Sequence, residues 1–279
     1  MIIELTLIEK IALFFVMIIG LPHGALDGAI ALGLGYGKNF KKIFLFLSSY
    51  ILLALLALAL WNLSPAISLF FFLIYSLVHF GLGDIYEYKT ALTKKYQLYL
   101  GIISHGGIAI IGIPYFNQDS VYIFFSILAG ENSIFILDFL NNIFYLWITL
   151  SFIYIIISLK DHRYYLVIVL LIMYLVITLL LPLISFAIYF CAIHSRKHFI
   201  SLWKTLKNLV GKKIIFLTST ILTISSWIFA VLFYKFQTNF FSSDESFLRM
   251  VFILLSVLTI PHMILVDSMF RPIMNKLKL

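Results

Sequence analysis

The chain has 279 residues, of which 63% are Ala, Val, Ile, Leu, Met, Phe, Trp, Tyr or Cys and only 11% are charged. Soluble domains average about half apolar and about a quarter charged, so disorder, a collagen-like chain and an ordinary soluble enzyme are excluded. The net charge of +8 lies in short basic clusters between apolar runs, the pattern of cytoplasmic loops in a membrane protein and not of a nucleic-acid-binding surface.

About 20 apolar residues at 1.5 Å each cross the hydrocarbon layer. On that measure the candidate spans in chain order are 7–36, 43–61, 66–83, 97–115, 142–159, 164–181, 184–203, 214–236 and 247–268. The first is overlong and carries Gly20, Pro22, Gly24, Gly28, Gly33, Gly35 and Gly37, so it reads as one kinked helix or two broken pieces. The stretch 120–138 is apolar but holds Gly130, Glu131 and Asp138, and reads as a pair of helices on the membrane surface, or a tenth span. Lys and Arg cluster at 38–42, 89–95, 160–163, 196–213 and 271–278, while 62–65, 114–141 and 182–184 carry none. Nine spans make basic and non-basic connections alternate, with the N-terminus outside and the C-terminus in the cytoplasm. The fold expected is therefore an all-α, polytopic membrane bundle of about nine helices, eight at fewest and ten at most, forming one domain over 1–279. Residues 1–30 lack a basic leader and a small-residue cleavage site, so no signal-peptide removal is expected.

A single cysteine, Cys191, excludes a disulfide scaffold and cysteine-based metal sites. The chemistry rests on histidine. Of seven histidines only His162 falls in an evident loop; His23, His79, His105, His194, His198 and His262 fall in or near spans, where an ionisable group is costly and faces the bundle interior. His194 and His198, in Tyr189-Phe190-Cys191-Ala192-Ile193-His194-Ser195-Arg196-Lys197-His198, are spaced i, i+4 and share a helix face within reach of one ion. No Glu follows His194, so the zinc-protease pattern is absent. In Gly20-Leu21-Pro22-His23-Gly24-Ala25-Leu26-Asp27 the carboxylate stands four residues after the imidazole, placed to accept its far N–H. His79-Phe80-Gly81-Leu82-Gly83-Asp84 and Pro261-His262, with Asp267 after it, repeat the pairing of His with a nearby Asp. His105 has no carboxylate near it in sequence and reads as structural or pocket-lining. For each histidine the plain alternative is a hydrogen bond between helices. These residues define a His-rich metal or proton site inside a membrane bundle, and imidazole suits Fe, Zn, Cu and Ni alike.

Taken together, the four segments resemble the Brp/Blh family of bacterial and archaeal membrane β-carotene 15,15′-dioxygenases. The family's pieces are an early P-H-G-A-x-D, an H-F-G-x-x-D, a late Y-F-x-x-x-H-S-x-x-H and a terminal P-H. They stand here, in that order, at Pro22 to Asp27, His79 to Asp84, Tyr189 to His198 and Pro261-His262. One position departs from the pattern: Gly28 stands where many members carry His. The resemblance implies cleavage of the central double bond of β-carotene by O2, giving two all-trans-retinal, at Fe(II) carried by His23, His79, His194 and His198. The other ring N–H groups of such ligands need acceptors, for which Asp27, Asp84 and Asp267 are candidates, and His262 is assigned outside the ligand set, as an orienting partner or in the substrate pocket. Phe80, Tyr189, Phe190 and Phe199 are candidate walls for the polyene, against ordinary packing as the alternative reading. The expected partners are β-carotene, O2 and the lipid bilayer, with no nucleic acid and with retinal passed to a rhodopsin; the expected location is the inner cell membrane. The competing reading is a membrane transporter or assembly factor that binds a metal or a retinoid, or a related carotenoid enzyme with another substrate. Product chemistry separates these.

Overall fold

The computed structural model describes residues 3–85 and 94–272, the side chains of Leu21 and His23 excepted. The basic positions expected within 86–93 and 273–279 lie outside the described residues. Among the described residues the chain is helical throughout and has no strand. Helix α1 spans Leu7–Gly33, α2 Phe40–Leu63, α3 Pro65–Ile85, α4 Lys95–Phe116, α5 Gln118–Ala129, α6 Ser133–Lys160 and α7 Tyr164–Leu179. Helix α8 starts at Pro182–Ala187 and continues through a π-helical Ile188–Ser195; α9 is Arg196–Leu209, α10 Lys212–Gln237 and α11 Ser243–Phe270. Seven of these (α1, α2, α3, α4, α6, α10 and α11) are long and apolar enough to cross a membrane.

Local chemistry sets the boundaries. Asn39 caps α2, its Oδ1 accepting from Lys42 N at 2.9 Å. Pro65 opens α3, where its missing N–H costs nothing. Ser242 and Glu245 form a reciprocal capping box at the start of α11. Gly130, at φ 76°, ends α5 in a backbone region that side chains disfavour. That break separates α5 from α6, so 133–138 form the first turns of a helix long and apolar enough to cross a membrane. The first apolar run is one helical course from α-helix through a π-helical Val16–Gly20 and a 3-10 Leu21–Leu26 back to α-helix at Asp27–Gly33. Wide π turns recur at Ile108–Gly112, Ile188–Ser195 and Ile264–Phe270, and such turns concentrate at functional positions.

The chain forms two compact units. The first comprises Met1–Leu5, Leu13–Ser64 and His198–Leu279; the second comprises Thr6–Ala12 and Pro65–Lys197. In the first, α10 and α11 pack against the second half of α1, and α2 packs on α11. Its core joins Leu26, Ala29 and Ile30 to Leu202, Leu206, Ile215, Leu265, Val266 and Phe270. Trp61 of α2 donates to Ser256 of α11 at 3.0 Å. The outward faces of α2 and α10 carry large apolar side chains, such as Leu52, Leu56, Phe216 and Leu232, with more than half their surface exposed. Such a surface suits lipid and not water. In the second unit α3 lies on α4, and α4 on α6. Backbones approach closely there: a Cβ on Gly81 would stand 2.1 Å from the Ile102 carbonyl oxygen, and one on Gly106 1.9 Å from that of Leu77.

Candidate functional site

Each unit holds one buried cluster with the same parts: two imidazoles, one aspartate and one tyrosine. In the second unit, His79 and Asp84 of α3 meet Tyr189 and His194 of the π-helical part of α8. The rings of His79 and His194 lie edge to face, centroids 5.1 Å apart. His194 Nδ1 is 3.3 Å from Asp84 Oδ1, and Tyr189 donates its hydroxyl to Asp84 Oδ2 at 2.8 Å. All four residues are fully buried, or within 1% of it. A carboxylate only accepts, so Nδ1 of His194 carries the proton and Nε2 the lone pair. Phe80 and Phe190 flank His194, Phe190 stacked on it at 5.9 Å and Phe80 tilted at 4.6 Å. Gly83 makes this closeness feasible, since a Cβ there would stand 2.8 Å from His194 Cε1. Lys197 reaches the Asp84 backbone carbonyl at 3.4 Å. His105 is buried beside Tyr154, centroids 5.8 Å apart.

In the first unit, Asp27 of α1 accepts from Tyr50 of α2 at 2.8 Å and faces His262 of α11, Oδ1 to Nδ1, also at 2.8 Å. The His262 ring lies 5.0 Å from that of His198 on α9. By the same reasoning His262 presents Nε2 as its lone-pair nitrogen. His198 differs. Its Nδ1 is 3.3 Å from a guanidinium nitrogen of Arg271, which can only donate, so the lone pair there is on Nδ1. Arg271 also pairs with Asp267, one helical turn earlier.

These placements rearrange the partners expected from sequence neighbours. Asp27 holds His262, 235 positions away, and Asp84 holds His194, 110 positions away. Asp267 pairs with Arg271, whose guanidinium in turn reaches His198. Phe199 stacks on Trp203 at 5.8 Å with nearly half its surface exposed. The His23 side chain lies outside the described residues, as a ligand set including it does. No group of three or more His, Cys, Asp or Glu placed to hold a metal occurs among the described residues. Two participants escape a reading by motif, Tyr50 and Arg271. Tyr50 left a signal, a phenolic hydroxyl beside Ser48 and Ser49 within an apolar run, which must find an acceptor. Arg271 left another, its i, i+4 spacing from Asp267.

Buried imidazoles tied to carboxylates inside a set of long apolar helices define an integral membrane protein, with groups suited to ligating a metal or moving protons. Residues 14–270 match the family model described as β-carotene 15,15′-dioxygenase. A protein named β-carotene 15,15′-dioxygenase from an uncultured marine bacterium, 66A03, is 35% identical over 276 residues, covering 99% of this chain and 98% of the relative. No solved structure matches the chain. The chain belongs to the β-carotene 15,15′-dioxygenase family.

Proposed function

We propose that the chain cleaves the central 15,15′ double bond of β-carotene with O2, releasing two all-trans-retinal, at Fe(II) held by His23, His79, His194 and His198. The observation that carries this reading is the family match over residues 14–270. The donor set fits the metal: His79 and His194 are buried neighbours, and the proton on His194 Nδ1 leaves Nε2 as the ligating nitrogen. At His198, ligation through Nε2 requires Arg271 to give up Nδ1 and keep its ion pair with Asp267. Bound iron supplies the activation of O2 that a hydrocarbon double bond requires.

The chain's own residues supply the setting. Asp84, fixed by Tyr189, holds the His194 ring in one tautomer and one orientation. Asp27, fixed by Tyr50, does the same for His262, which we place outside the ligand set beside His198. Phe80 and Phe190 keep water from His194 and offer flat faces to a polyene. The whole chain, 1–279, acts as one catalytic domain in the inner cell membrane. Nine spans place its N-terminus outside and its C-terminus in the cytoplasm, and the retinal passes to a rhodopsin in the same membrane.

The test is expression in a β-carotene-accumulating bacterium, with pigments separated by chromatography. The parent chain is expected to yield retinal, and His79→Ala and His198→Ala none at equal protein level. Apocarotenals of other lengths would move the cleaved bond; β-carotene left intact by folded parent protein would favour a binding or transport role.

A further inference from the structure

The first unit contains a cavity of about 470 Å³ between α2, α10 and α11. Its α2 wall includes Phe46, Tyr50 and Ala54 and ends at Leu58; its α10 wall runs from Ile221 and Leu222 to Phe229. The intervals on both helices are i, i+4, i+8, so each wall is one straight stripe of a helix face. From Phe46 to Leu58 the stripe is about 18 Å long at 1.5 Å per residue. The lining is apolar almost throughout, and at one place its floor is Asp27 with Tyr50. These two are the pair that holds His262, whose ring neighbours His198. The cavity is not sealed from the chain's surface, since Ile51, Leu55 and Ile221 on its walls each leave about half their area exposed. It is an apolar slot, open along lipid-facing helices and leading to the carboxylate that orients His262.

We propose that this slot binds one half of the carotenoid, the polyene arm with its hydrocarbon end ring, and is the side entrance by which the substrate leaves the bilayer. The proposal rests on the function proposed above. Central cleavage puts the reacting bond at the middle of a symmetric rod, so each arm needs a separate path away from the histidines. A path for an all-hydrocarbon arm must be long and apolar, and must begin beside a ring-orienting group; the slot has each property. Its volume lies in the range of pockets that enclose a small ligand, roughly 300–1,000 Å³, and suits an arm and not the whole rod. Gly28 extends the track: with Thr218, Ile221 and Leu222 it lines an adjoining cavity of about 160 Å³, and a Cβ at Gly28 would stand 3.1 Å from Thr218 Cβ.

The experiment uses the full chain in lipid nanodiscs, loaded with β-carotene without O2 so that none is consumed, and reads the pigment retained per protein after washing with empty nanodiscs. Ala54→Trp and Leu222→Trp, which fill the slot from opposite walls, are expected to lower retention roughly tenfold or more. Leu56→Trp, on the outer face of α2, is expected to retain pigment like the parent. Ala54→Leu, a change small enough to keep the fold, is expected to lie between parent and Ala54→Trp. Equal retention by parent and slot variants overturns the proposal even if retinal is formed in air. An equal loss in Leu56→Trp also overturns it, because the slot then has no special part. Slot-dependent retention by a parent chain that forms no retinal supports the slot and overturns the proposed reaction instead.

Discussion

Asp84 accepts two hydrogen bonds with different consequences, one from the Tyr189 hydroxyl and one from His194 Nδ1. The first fixes the carboxylate; the second decides which imidazole nitrogen offers a lone pair. Asp84→Asn preserves shape and an acceptor for Tyr189 but turns an NH2 group toward His194, which moves the lone pair to Nδ1 and the proton to Nε2. Iron affinity of the purified chain is expected to fall roughly 10–100-fold, with helix content unchanged. Tyr189→Phe leaves the tautomer alone and removes one hydrogen bond worth about 1 kcal/mol, so it is expected to melt a little earlier and keep its metal. Metal titration of both variants tests the difference, and equal affinity in Asp84→Asn and the parent would mean that Asp84 does not set the ring's state.

At the scale of helices, the second unit depends on backbone contact between α3 and α4, where Gly81 and Gly106 each face a carbonyl oxygen of the other helix. A methyl group at Gly106 would need the space that the Leu77 carbonyl occupies, so the helices must separate. Gly106→Ala is expected to cost about 2 kcal/mol or more, against a gain of up to about 1 kcal/mol for Gly33→Ala, whose new Cβ meets only ordinary contacts. Heating the two variants in detergent and following loss of soluble protein separates them; equal melting would mean that α3 and α4 do not depend on this contact. Much of this level was legible in the sequence, because apolar length locates most of the long helices, although α6 begins at Ser133, well before the expected 142. The pairing of Asp27 with His262 and of Asp84 with His194 was not. A motif shows neighbours within one helical turn, so it offered His23 to Asp27 and His79 to Asp84, whereas the contacts join helices far apart in the chain. Arg271 belongs to a terminal basic cluster that topology alone explains, which hid its contact with His198.

For the whole molecule, the long helices and the basic connections constrain topology together. With the seven long helices alone, basic links follow α1, α3, α6 and α11, and links without Lys or Arg follow α2, α4 and α10. By the positive-inside rule, that alternation alone predicts the C-terminus inside and the N-terminus outside. The segment from α7 to α9 lies within one basic link, so it either stays at the inner surface or crosses twice. Helix α7 has 16 residues, about 24 Å of rise, against about 30 Å of hydrocarbon, a shortfall that local thinning of the bilayer absorbs at modest cost. Its Tyr164–Leu179 sequence contains no charged residue, and a helix of that composition lowers its free energy by crossing. The expectation is therefore two crossings and nine spans, with Leu181 outside. Single cysteines in a Cys191→Ser background test it with an impermeant maleimide on intact cells. Leu181→Cys and Asn239→Cys are expected to label, and Lys212→Cys only after the membrane is opened. Protection of Leu181→Cys with labelling of Asn239→Cys would reduce the count to seven and leave both termini where nine spans put them, since two crossings add no net reversal.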